Sequence, residues 1–148
     1  MLIKIFTGIV YVAMVVVNFL ANGLPINNRP TGAISDAYPN LFAPAGPAFS
    51  IWGLIYLLLA GYVVFQLIKN RQSKEDLIKK INPLFIATSL ANIAWIFAWH
   101  YDYIGISVCV MAVLLIALIK IANILRAEKF TTQEKLFIST PFSVYFGW

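Results

Sequence analysis

YPNLFAPAGPAFSIWGLIYLLLAGYVVFQ, residues 38–66, is the stretch that decides the fold. Its first third is rich in proline and aromatic residues. It then runs into about twenty residues without a charge, which as a helix cover about 30 Å, the hydrocarbon thickness of a bilayer. A stiff aromatic loop therefore feeds directly into a membrane-spanning helix.

The rest of the chain agrees. Of its 148 residues 61% are hydrophobic and only 11% charged, with a mean hydropathy of +0.82. Soluble domains are nearer half apolar and a quarter charged, and a chain this short cannot hide so much apolar surface in an aqueous core. Five apolar segments follow one another: 5–21, 49–68, 81–99, 103–119 and 136–148. The expected fold is all-α, an integral membrane bundle of five transmembrane helices. The fifth is truncated, because its apolar run stops on Trp148 without a cap or charged flank, so the chain reads as a fragment of a longer protein, with one domain over residues 1–148. The first segment follows Lys4 but is longer than a signal-peptide core and lacks a small-residue cleavage site, so it reads as a retained span.

The net charge of +5 does not point to nucleic acid, because the few basic residues lie between apolar runs, where membrane topology needs them. One connection carries Lys69, Arg71, Lys74, Lys79 and Lys80, and another Lys120, Arg126, Lys129 and Lys135. The positive-inside rule puts these two connections (69–80 and 120–135) and the N-terminus in the cytoplasm of a multi-pass cell-membrane protein. The proline-rich loop and the short turn at Tyr101 and Asp102 then face outward.

Polar and aromatic residues fall on stripes at helical spacing. Tyr11, Asn18 and Asn22 share one face; Phe49, Trp52 and Tyr56 another, continued by Gln66; Thr88, Asn92, Trp95 and Trp99 a third; Pro141, Tyr145 and Trp148 a fourth. Ala87, Ala91, Ala94 and Ala98 form a small-residue seam suited to close helix packing. An asparagine facing hydrocarbon loses its water without gaining partners, so Asn92 is expected inside the bundle, bonded across helices to Asn18 or to a ligand. Cys109 reads as a packing residue. His100 and Asp102 in their tight turn read as solvated rather than catalytic. No catalytic residues, metal ligands or intramembrane charges that could relay protons are apparent. What remains is an uncharged, aromatic-lined interior suited to a planar hydrophobic ligand.

These residues give the chain a resemblance to the TspO/MBR family, the tryptophan-rich sensory proteins related to the translocator protein. Tyr38, Leu41 and Pro44 keep the Y-x-x-L-x-x-P spacing of that family's first loop; Trp52 and Tyr56 match its W-x-x-x-Y; Asn92 and Trp95 match its N-x-x-W; and Pro141, Phe142 and Tyr145 resemble the start of its fifth helix. Ala37 and Ala43 stand where the family's loop has tryptophan and lysine. The resemblance implies a pocket for a tetrapyrrole such as protoporphyrin, or for a sterol, with no required cofactor. Its ligand-binding candidates are Trp52, Tyr56, Asn92, Trp95, Tyr38, Tyr145 and Asn18. The expected partners are membrane lipid and that hydrophobic small molecule, with a homodimer as the candidate assembly. Competing expectations are light-dependent porphyrin breakdown and a permease-like accessory subunit.

Overall fold

The computed structural model describes residues 1–24, 26–29, 31–37, 46–68 and 74–148. Four helices are long and apolar enough to cross a membrane: α1 (Leu2–Gly23), α3 (Ile51–Leu67, extended at its start by a 3₁₀ turn at Gly46–Ser50), α4 (Glu75–His100) and α5 (Ile104–Arg126). A short α2 (Thr31–Asp36) lies in the first connection. The last rod is built from α6 (Thr132–Glu134), a π-helical turn (Lys135–Ser139) and α7 (Thr140–Gly147). No strand occurs among the described residues.

The rods close into a ring: α1 lies against α4, α4 against α5, α5 against α7, α7 against α3, and α3 back against α1. Inside it, Tyr62, Phe85 and Phe142 meet edge-to-face, with ring centroids 4.9, 5.7 and 5.3 Å apart. This is the preferred geometry for aromatic quadrupoles, adding about 0.5–1.5 kcal/mol per pair beyond burial. Met14, Ile55, Leu59 and Ile138 fill the space around them. The outer surface is apolar. Leu57 is 70% exposed and Val108 62%, and Ile9, Val12, Phe19, Leu54, Val113 and Ile116 are exposed with them. That much exposed aliphatic surface requires lipid rather than water around it.

Two helices run further than hydropathy alone predicts. The helix expected from Ile81 begins at Glu75, so Lys79 and Lys80 are helical rather than part of the connection. Its added turns bury Leu77 and Ile78 while Lys79 and Lys80 stay exposed, an amphipathic pattern that an apolar window averages away. Glu75 and Asp76 in its first turn complement the helix dipole. Likewise α5 continues through Lys120 to Arg126, past the expected end at Ile119. Pro83 sits inside α4 on an exposed face without ending the helix.

The last rod starts on a capping box. Thr131 Oγ1 accepts the Glu134 N–H at 3.3 Å, and Glu134 Oε2 accepts the Thr131 N–H at 2.9 Å. The π turn that follows lies just ahead of Pro141, whose ring would crowd the carbonyl four residues back in a regular helix. Both the backbone N–H and the Oγ1 of Thr140 donate to the Lys135 carbonyl, the latter at 2.9 Å, so the wider turn leaves that oxygen satisfied. Opposite it, Gly61 lets α3 approach closely, since a Cβ there would meet Phe137 at 3.2 Å.

Each end of the ring is tied by ion pairs. Lys4 pairs with Glu75, and Lys74 with Glu128 at 2.8 Å. At the other end Arg29 pairs with Asp102. There the first connection folds over α4. Asn27 and Asn28 turn the chain with φ of 54° and 60°, a left-handed conformation that asparagine tolerates. Asn27 Nδ2 donates to the His100 carbonyl at 3.0 Å.

Three expectations are corrected. His100 is fully buried rather than solvated: its Nδ1 lies 2.7 Å from the Ile96 carbonyl and its Nε2 3.4 Å from Thr31 Oγ1, under α2. Cys109 does not pack inside; it lies on the exposed face of α5. The alanine seam divides, with Ala91 and Ala98 buried and Ala87 and Ala94 exposed, because positions four apart drift around a helix while those seven apart stay aligned.

Candidate functional site

In the upper half of the ring, α1, α3, α4 and α7 bring polar and aromatic side chains together. Asn92 is 2% exposed, and its Oδ1 accepts a hydrogen bond from Asn18 Nδ2 at 2.6 Å. Asn18 Nδ2 is also 2.9 Å from the Met14 carbonyl of its own helix. The interhelical asparagine bond read from the stripes is thus present. Tyr145, at 3% exposure, reaches the same place from α7. Its hydroxyl is near enough to the Asn92 amide to interact electrostatically, yet it makes no hydrogen bond of ordinary geometry.

Trp52 joins this group from α3. Its ring meets Tyr145 edge-on at 6.0 Å and stacks on Tyr56 at 5.8 Å. The Tyr56 carbonyl takes a hydrogen bond from the Tyr11 hydroxyl at 2.8 Å, which fixes α1 against α3 at this level. Trp52, Tyr56 and Tyr145 therefore form a continuous aromatic wall, with the Asn18–Asn92 pair close to its Tyr145 end. Trp95 stacks on Trp99 at 5.7 Å and 18°, and Trp99 Nε1 points to the Thr31 carbonyl of α2 at 3.5 Å. Tyr38 lies outside the described residues.

A second polar group, below the aromatic core, escaped the sequence reading. Tyr62 Oη donates to Asn82 Oδ1 at 2.7 Å, and Asn82 Nδ2 donates to Gln66 Oε1 at 2.8 Å. All three are at most 1% exposed, and the Gln66 Nε2 has no partner. Gln66 was visible at the end of the α3 stripe. Asn82, beside Pro83 and two lysines, carried no periodic signal.

The ring of apolar helices, with buried polar side chains bonded to one another across it, defines a polytopic membrane protein with an aromatic interior. The chain matches the family described as TSPO-like protein over residues 4–148, and it belongs to that family. No curated protein and no solved structure matches it.

Proposed function

We propose that this protein holds a flat hydrophobic ligand of the tetrapyrrole class inside the bundle, against the wall of Trp52, Tyr56 and Tyr145. The observation that carries this reading is the Tyr145 hydroxyl: buried, close to the Asn92 amide yet without a hydrogen bond of ordinary geometry, on a ring that packs against Trp52. A donor left unpaired in a low-dielectric interior costs about 1–3 kcal/mol. A ligand acceptor presented there recovers that energy, while the rings supply stacking surface. The family membership supports the same reading. The wall is read as a binding surface, for sensing or transfer. The clustering of Lys4, Lys74, Arg126 and Lys135 at one end supports a cell-membrane orientation with that end, including the N-terminus, in the cytoplasm.

The test is titration of the purified protein with protoporphyrin, followed by quenching of tryptophan fluorescence. Trp52→Ala and Tyr145→Phe are each expected to weaken binding about tenfold, the loss of one stacking or hydrogen-bonding contact of about 1.4 kcal/mol. Unchanged affinity in both variants would show that the wall is not the binding surface.

A further inference from the structure

A cleft of about 440 Å³ opens at the opposite end of the bundle from Trp52, between the last turns of α5 and the rod of α6 and α7. Its polar lining is Arg126, Glu128, Lys135, Ser139 and Ser143. Leu125, Phe130 and Phe146 form its apolar side.

The charges in this cleft do not cancel. Glu128 is already engaged by Lys74 at 2.8 Å, and Lys74 is held further by the Lys129 carbonyl and the face of Phe130. Glu134, the nearest other carboxylate in sequence, is 7% exposed and locked into the capping box. Arg126 and Lys135 form no ion pair among the described residues. Lys135 also stands in the first turns of a helical rod, at the positive end of its dipole, where a cation is disfavoured unless an anion sits nearby. The π turn spans Lys135–Ser139, and its two end residues bring a cation and a hydroxyl to the cleft; such turns recur at functional sites. Finally, the cleft lies where the bilayer changes character. Exposed Ile116, Ile119, Leu136 and Phe137 give way there to exposed Lys120, Arg126 and Lys129.

We propose that this cleft binds the phosphate headgroup of an anionic membrane lipid. Arg126 and Lys135 hold the phosphate, Ser139 and Ser143 donate to its oxygens, and the upper acyl chain lies along Phe146 and Leu125. Two unpaired cations select a net negative headgroup over a zwitterionic one. The apolar side selects a lipid over free phosphate. The cleft shares no residue with the aromatic wall, so this proposal stands apart from the ligand reading above.

Native mass spectrometry of the protein in a non-ionic detergent, with phosphatidylglycerol titrated against phosphatidylcholine, tests it. Phosphatidylglycerol is expected to be retained preferentially. Neutralising either cation, Arg126→Gln or Lys135→Gln, is expected to weaken it about fivefold, and the double variant about 30-fold. Ser143→Glu, which leaves both cations in place, should weaken it as well and guards against a folding defect in the double variant. Lys120→Gln, on α5 but outside the cleft, should leave binding unchanged. Equal retention of the two lipids, or an equal loss on Lys120→Gln, overturns the proposal. So does displacement by inorganic phosphate at matching concentration, which assigns the site to the free anion.

Discussion

The chain Tyr62–Asn82–Gln66 permits a quantitative test of how this bundle holds together. Tyr62→Phe deletes one hydroxyl and leaves its ring free to keep the edge-to-face contacts with Phe85 and Phe142. The variant strands Asn82 Oδ1, which had accepted that hydroxyl at 2.7 Å. Stranding one buried acceptor costs about 1–2 kcal/mol, toward the upper range for interhelical hydrogen bonds in membranes. Asn82→Ala is worse. It leaves the Tyr62 hydroxyl and Gln66 Oε1 both unpaired, beside a Gln66 Nε2 that already lacks a partner. Two orphaned groups and a small void bring its loss to about 3 kcal/mol. The informative variant is the triple Tyr62→Phe, Asn82→Leu, Gln66→Met. It removes every polar atom of the chain at nearly constant volume, so it should lie within about 1.5 kcal/mol of the parent. Reversible unfolding in mixed micelles of rising dodecyl sulfate, followed by far-UV circular dichroism, measures all three. If the triple variant is destabilised by as much as Asn82→Ala, the polar chain is not the source of the loss and the reasoning fails.

Other outcomes follow from single contacts. Gly61→Ala is expected to lower stability by about 1 kcal/mol in the same assay, because the new methyl presses on Phe137 at 3.2 Å and disturbs its stack on Phe65 at 5.5 Å; a neutral result would show that Phe137 swings aside freely. Cys109, exposed in the middle of an apolar face, should resist a charged maleimide in intact vesicles yet react with an apolar one. Rapid labelling by the charged reagent would mean that this face of α5 meets water.

Much of this was legible in the sequence where one helix suffices to carry the signal. The runs around Ile5, Ile51, Ile81 and Ile104 are long and uncharged, and they became α1, α3, α4 and α5. The stripe through Asn18 and that through Asn92 each pointed inward, and the two amides do meet. Where two elements must be set in register, the sequence was silent. Asn82 finds Tyr62 and Gln66 only because α3 and α4 face each other across the bundle at that height. His100 is dry only because α2, with Thr31 69 residues away in sequence, lies over it. The π turn and the early start of α4 were hidden for a different reason. Hydropathy windows report apolar content, and neither a wider helical turn nor an amphipathic first turn changes that much.

The attachment of the first helix to α4 has a consequence for biosynthesis. Among the described residues, polar links run from Lys4 to Glu75, from Asn18 to Asn92 and, just beyond the helix, from Asn27 to the His100 carbonyl, each closing 71 to 74 residues of chain. At synthesis rates of about 5–20 residues per second, α1 spends roughly 4–15 s in the bilayer before its partner emerges from the ribosome. During that wait its amides need somewhere to go. The structure shows where: Asn18 Nδ2 already touches the Met14 carbonyl at 2.9 Å, and Asn22 Nδ2 the Asn18 carbonyl at 3.1 Å. Each asparagine can stay parked on its own helix, one turn back, so that α1 crosses the membrane as a finished unit and recruits α4 when it arrives.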